Sequence, residues 1–159
     1  MISARALTSE EWRTWRELRL AALRDAPEAF DATLADWQGA GDTELRWRLR
    51  LEAVSANVVA DLDGHDAGMV SATAPDSDGA VELISMWVAP FARGQGVGDS
   101  LVQAVLQWAS AAGAIRLRLR VAAWNAPAMA LYRRNGFVEG RVLEEDEGGA
   151  CELEMERLL

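Results

Sequence analysis

Cysteine is almost absent from this chain. Cys151 stands alone among 159 residues, so no internal disulfide can form, which agrees with a reducing compartment. Histidine is equally scarce: one His and one Cys supply no ligand cluster, and no metal site is expected. No run of about 18 apolar residues is present to cross a bilayer, so no membrane partner is expected. The amino terminus carries Arg5 and then a charged segment in place of an apolar leader, which makes a cytoplasmic location the expectation. Basic residues number 16 against 25 acidic ones, a formal net charge of −9 at pH 7. Nucleic acid binding needs a basic face, and that class is set aside. A negative field also raises the local concentration of cationic amines within a screening length of about 10 Å, besides aiding solubility.

Half of the residues are hydrophobic (50%) and 26% are charged, the balance of one globular domain over residues 1–159 with one core. No internal repeat or linker interrupts it. Ile2 to Ala6 reads as a first strand. Thr8 or Ser9 then caps a helix with Glu10 and Glu11 in its first turn and Trp12, Trp15, Leu18 and Ala22 as its stripe, ending at Asp25-Ala26-Pro27. Phe30 to Gln38 is a weaker helical stretch, and Thr43 to Val54 a further one. Asn57 to Leu62, Asp63-Gly64 and Ala67 to Thr73 read as strand, hairpin turn and strand, with His65 a solvated turn residue.

Val81 to Val88 is short and rich in β-branched and aromatic residues, which favours a strand that Pro90 ends. From Ser100 onward, Val102, Val105, Leu106 and Ala109 recur at helical spacing until Gly113. Between strand and helix lies Arg93-Gly94-Gln95-Gly96-Val97-Gly98. Alternating glycines permit close backbone approach, and the first N–H groups of a helix have no acceptor of their own, so such a turn suits an anion. A glycine-rich connection without a ligand is the other reading.

Ile115, Leu117, Leu119 and Val121 alternate with Arg116, Arg118 and Arg120, a strict period of two. Cys151, Leu153 and Met155 alternate with Glu152, Glu154 and Glu156 in the same way, so the two strands are expected to be neighbours with their charged rows on one face. Leu143 to Gly149 is an acidic loop between final strands.

The segment WVAP, then Arg93 to Gly98, then SLVQAVLQWA resembles the acyl-CoA-binding signature of the GNAT N-acetyltransferase superfamily. A second stretch, Asn125-Ala126-Pro127-Ala128-Met129-Ala130-Leu131-Tyr132-Arg133-Arg134-Asn135-Gly136-Phe137, is similar to the family's N-x-x-A-x-x-L-Y-x-x-x-G-F. The resemblance implies an α/β (α+β) fold. Its central mixed, mostly antiparallel sheet would have about seven strands flanked by about four helices, with a splay between the Val81–Val88 and Ile115–Val121 strands. It implies acetyl-CoA as cosubstrate, an amine acceptor and, as in many members, a homodimer. Carried over residue by residue, the coenzyme would meet Met86, Trp87 and Val88 through their backbone. Its other contacts would be Arg93, Gly94, Gln95, Gly96, Val97, Gly98, Asp99, Ser100, Asn125, Tyr132 and Arg133. Phe30, Trp37 and Trp47 are candidates for lining the acceptor site, or for core packing.

Acyl transfer to an amine asks for three things. A lysine-like amine with a pKa of about 10.4 is deprotonated about once in 2,500 molecules at pH 7, equivalent to about 4.6 kcal/mol, so a base helps. Glu82, eleven residues before Arg93, matches the family's frequent catalytic glutamate; ordered water is the alternative. Backbone N–H groups at 86–88 match the family's donors to the thioester oxygen. Tyr132 matches its general acid for the departing sulfur. Two rivals stay open. A dinucleotide fold would need glycine where Asp99 stands, and a noncatalytic acyl-CoA sensor would keep the fold without the turnover.

Overall fold

Alternating side chains decide how the strands are used. In β2 (Ala56–Leu62), Val58 and Ala60 face one way and Val59 the other, and all three are buried, so this strand carries layers on both faces. β2 lies between β1 (Ile2–Ala6) and β3 (His65–Ala72), antiparallel to both. Its turn into β3 is Asp63-Gly64, with the positive φ angles, 53° and 89°, of an Asp-Gly hairpin. His65 is exposed and pairs with Leu62 at the start of β3. β3 pairs antiparallel with β4 (Ala80–Val88).

The computed structural model describes residues 1–30, 32–143 and 151–159; the acidic segment 144–149 falls outside them. α1 (Trp12–Asp25) and α2 (Glu44–Ala53) connect β1 to β2. After β4, α3 (Val97–Ala111) crosses the sheet, which makes β5 (Arg116–Ala122) parallel to β4. α4 (Ala126–Arg134), β6 (Val138–Leu143) and β7 (Glu152–Leu158) complete a seven-stranded sheet of order β1-β2-β3-β4-β5-β7-β6. Among the described residues, only the β4–β5 pair is parallel. Among the described residues, no helix is long and apolar enough to cross a membrane.

The sheet divides what composition suggests is one core. On one face Val81, Leu83, Leu117, Leu119 and Met155 pack under Leu101 and Val105 of α3. On the other, Trp15 and Leu18 of α1 and Trp47 and Leu51 of α2 cover Val59, Met69 and Trp87. The charged rows of β5 and β7 share a face as their alternation requires. Arg118 sits opposite Glu156 and Arg120 opposite Glu154, with Arg118 Nε 3.8 Å from Glu156 and 3.9 Å from Glu154. Ion pairs of this length and exposure contribute about 0.2–1 kcal/mol, so they set register more than stability.

One expected element does not form. Phe30 to Gln38 is not an α-helix; two 3₁₀ turns, Ala35–Trp37 and Gly39–Gly41, occupy this region. A short helix carries its full nucleation cost, and here Thr33 Oγ1 donates to Asp36 Oδ2 at 2.8 Å, a local bond that competes with helix.

α1 and the start of α2 are tied by Asp42. Arg16 donates to it through Nε at 2.7 Å and Nη2 at 2.5 Å, and Trp47 Nε1 donates at 2.8 Å. These bonds, Arg16 first, hold its carboxyl down to about 2 from the ordinary 3.8. A depressed carboxyl contributes stability that is complete above the unfolded value and is lost as pH falls through the folded one. The loss of stability between about pH 4 and pH 2 is therefore expected to be smaller in Asp42→Asn than in the parent, as read from urea midpoints across that range.

Candidate active site

Three rungs hold β4 to β5: Ala80 with Arg116, Val81 with Leu117, and Glu82 with Arg118. Beyond Glu82 the strands part. β4 bends because its register against β3 shifts between Met69 and Ser71, and Ser85 takes a φ of 56° that a non-glycine residue adopts only at cost. Past this bulge Ala89 N–H donates to Ala67 O at 2.8 Å. By alternation the Trp87 amide also faces β3, which leaves the amides of Met86 and Val88 on the parted side.

β4 runs into a loop built for a close approach. Pro90–Ala92 makes a 3₁₀ turn, and Gly94 and Gly96 then take φ angles of 75° and 92°. The first helical bond of α3 is Ser100 N–H to Gly96 O at 3.1 Å. Among the described residues, the N–H groups of Gly94, Gln95, Gly96, Val97 and Gly98 have no backbone acceptor, and no side chain caps the helix. A side chain at Gly94 would meet nothing within 4 Å. Five free donors at the positive end of a helix dipole, with open space at Gly94, are the kind of surface that suits an anion.

Side chains hold that loop from below. Asp25, the last residue of α1, accepts from Trp87 Nε1 at 3.0 Å and from Arg93 Nη2, and Arg93 Nε donates to Val88 O at 3.1 Å. The Trp87 bond, followed by Arg93, draws the Asp25 carboxyl below its usual range against the pull of burial. In α3, Asp99 accepts from Arg134 Nε and Nη2 at 2.8 and 3.0 Å and from Asn135 Nδ2 at 2.8 Å, joining α3 to the end of α4. Gly98 permits this join: a Cβ there would lie 3.1 Å from Leu131 Cδ2.

α4 begins at Asn125, whose Oδ1 accepts from Ala128 N–H at 3.3 Å, and stops where Gly136 takes a φ of 90°. It places Tyr132 under the α3 side of the parted strands, buried, its ring edge-on to Phe137 at 5.8 Å. Burial raises the Tyr132 phenol well above its usual range, so it keeps its proton at neutral pH. The opposite face carries Glu82, which pairs with Arg120 Nη2 at 3.5 Å and lines a cavity of about 260 Å³ with Thr73, Asp76 and Arg118.

Residues 6–137 match the family model described as Acetyltransferase (GNAT) family. The chain belongs to the GNAT acetyltransferase family. A thialysine N-epsilon-acetyltransferase from Bos taurus is 38% identical over 71 residues, 45% of this chain and 40% of that relative. The chain thus spans about two fifths of the length of this curated relative. A GNAT-family acetyltransferase structure from Streptococcus pneumoniae shares the fold with a TM-score of 0.81, at 20% identity over 100% of both chains. The PaiA N-acetyltransferase of Thermoplasma acidophilum, solved with coenzyme A, gives a TM-score of 0.74 at 17% identity over 100% of this chain and 99% of that one.

This GNAT fold brings together some of the residues that the sequence singles out and assigns others to support. Gly94, Gln95, Gly96, Val97 and Gly98 supply the free donors, and Met86 and Val88 border the parting. Trp87 stands apart: its side chain is buried in the α1–α2 core and its backbone pairs with Met69. The Arg93 and Asp99 side chains are engaged by protein partners, and Arg133 pairs with Glu139. Trp47 has no exposed surface; Trp37, half-buried, stacks on it at 4.4 Å, and Arg19 lies over Phe30 at 4.8 Å. Asp25 and Arg50 carry no motif signal. Among the described residues, no group of three or more His, Cys, Asp or Glu side chains converges as metal ligands.

Strain, not space, makes glycine necessary at position 96. A Cβ there would meet only Ile2 Cδ1 at an ordinary 3.5 Å, yet the φ of 92° is unfavourable to any L side chain. Gly96→Ala is expected to lower stability by about 1–2 kcal/mol in urea unfolding.

Proposed function

We propose that this protein transfers an acetyl group from acetyl-CoA to a primary amine, which attacks directly while both substrates are bound. The row of unpaired amides from Gly94 to Gly98 carries this reading, because a diphosphate is the anion that several N–H groups at a helix start suit best. The coenzyme structure of the Thermoplasma acidophilum neighbour supports the same choice of ligand. When bound, acetyl-CoA supplies an acetyl group already activated as a thioester. The protein's residues then orient it and handle protons. The amides of Met86 and Val88 orient the acyl end along the parted edge of β4, and one of them donates to the thioester oxygen, a contact worth about 2.7–4 kcal/mol in other acyl-transfer enzymes.

Glu82 receives the amine's proton through a water, since Arg120 already occupies part of its carboxylate. Tyr132 donates a hydrogen bond to the departing sulfur. A free thiol has a pKa of about 8.5, below that of a buried phenol, so the thiolate leaves as a stabilised anion and full transfer of the phenolic proton is not required. The acceptors of relatives are no guide to the amine: the Bos taurus enzyme is named for thialysine, and the segment between α1 and α2 that borders the acceptor side is the part of the chain with the weakest sequence signal.

Release of free thiol from acetyl-CoA across a panel of amines tests the reaction. Turnover with at least one amine is expected; coenzyme binding with no turnover on any of them would leave an acyl-CoA sensor. In the same assay Tyr132→Phe is expected to lower kcat roughly ten- to a thousand-fold while coenzyme A still binds. Glu82→Gln is expected to shift or abolish the pH dependence of kcat/KM, and an unmoved profile assigns the base to water alone.

A further inference from the structure

Arg50 occupies the last turn of α2, with its guanidinium over the Trp15 ring at 5.1 Å. Nη1 donates to Asn57 Oδ1 at 3.0 Å, and Nη2 donates to Ser71 Oγ at 3.2 Å and Ser85 Oγ at 3.3 Å. All three acceptors are neutral. They are also rigid: buried Asn57 donates through Nδ2 to the carbonyls of Leu51 and Val54 at 3.0 and 3.1 Å, and buried Ser71 donates to Asn57 Oδ1 at 2.7 Å. The guanidinium is therefore held before any ligand arrives.

Its charge is not answered within the described residues. No carboxylate among them lies within 4.0 Å of it, and the acids of the surrounding elements have cations of their own: Asp42 has Arg16, Asp25 has Arg93, and Glu82 has Arg120. Desolvation is the only influence on Arg50 and brings its pKa down to about 10, so it stays a cation at neutral pH in a place that disfavours charge. An arriving anion would relieve that cost. Both Nη2 hydrogens are used by the two serines and one Nη1 hydrogen by Asn57, which leaves Nε–H and one Nη1–H, each able to donate a single charge-assisted bond to a carboxylate oxygen.

Position completes the case. Ser85 is the bulge residue of β4 and lies past the last rung that β4 shares with β5. We propose that Arg50 receives a carboxylate on the acceptor, and that this protein acts on amines that also bear a carboxylate: amino acids and compounds built like them. The proposal rests on the acetyl-transfer reading above for the second group of that acceptor. The net charge of −9 opposes such a substrate only at long range, where salt screens it beyond about 10 Å, whereas a partly desolvated guanidinium acts at contact.

Matched pairs that differ only in the carboxylate test this: lysine with cadaverine, alanine with ethylamine, phenylalanine with phenethylamine. For at least one pair the carboxylated member is expected to have the higher kcat/KM by ten-fold or more, and Arg50→Gln is expected to bring that ratio toward one. A ratio near one for every pair in the parent, or a preference that survives in Arg50→Gln, overturns the proposal. Should the Gln variant fail to fold, as judged by its thermal transition and its binding of coenzyme A, Arg50→Lys is measured instead. A raised KM confined to carboxylated members supports the proposal, and an unchanged ratio overturns it. Calorimetry with the matching N-acetylated pairs in the presence of coenzyme A needs no turnover. If no amine is acetylated the transfer reading fails, while tighter binding of N-acetyl amino acids than of N-acetyl amines, lost in Arg50→Gln, still supports the carboxylate site, and equal binding overturns it.

Discussion

A peptide group kept from water without a partner costs about 1–3 kcal/mol, so a fold that parts two adjacent strands must give their freed N–H groups something to meet. In this protein β4 and β5 share three rungs and then separate, and β4 carries a bulge at Ser85 past the last of them. The strand that leaves its neighbour leads into a glycine-bearing loop whose amides are equally unpaired. Backbone donors are thus left at two places, on β4 past the bulge and again from Gly94 to Gly98. The rest of the molecule holds both in place.

Their supports are side chains from distant parts of the chain. Asp25 at the end of α1 holds Trp87 and Arg93, one on each side of the loop's start. Asp99 holds Arg134 and Asn135, and Gly98 lets α4 press against α3 through Leu131, which brings Tyr132 beneath the parted strands. On the far face Arg118 of β5 pairs with Glu154 and Glu156 of β7, and Arg120 pairs with Glu82. Tyr132 and Glu82 therefore approach the cleft from opposite faces of one sheet, a division that suits a reaction in which coenzyme and acceptor enter from different sides.

Periodicity was enough for the regular elements. Strict alternation in Ile115 to Val121 and Cys151 to Glu156 foretold two adjacent strands with shared charged faces, although Ile115 and Cys151 themselves lie exposed just outside β5 and β7. Asp63-Gly64 and the Gly94 and Gly96 loop were legible because each needs a backbone geometry that few residues adopt. What stayed hidden depends on contacts between distant segments. Ser85 reads as an ordinary strand residue, and nothing local announces its positive φ. Arg50 is one of three alternating arginines on a polar helix, and only Asn57, Ser71 and Ser85, brought together by three different strands, set it apart from Arg48. Trp47 is an aromatic whose spacing suits a pocket wall as well as a core, and full enclosure decided it.

The account stands on backbone amides at a helix start holding a diphosphate, and these can be watched one by one. In a nitrogen-15 labelled sample at low salt, addition of coenzyme A is predicted to move the amide resonances of Gly94, Gln95, Gly96, Val97 and Gly98 far more than those of β6 or β7, and added salt is predicted to weaken the effect. Saturable binding that leaves those five resonances in place, or no binding at all, would contradict it.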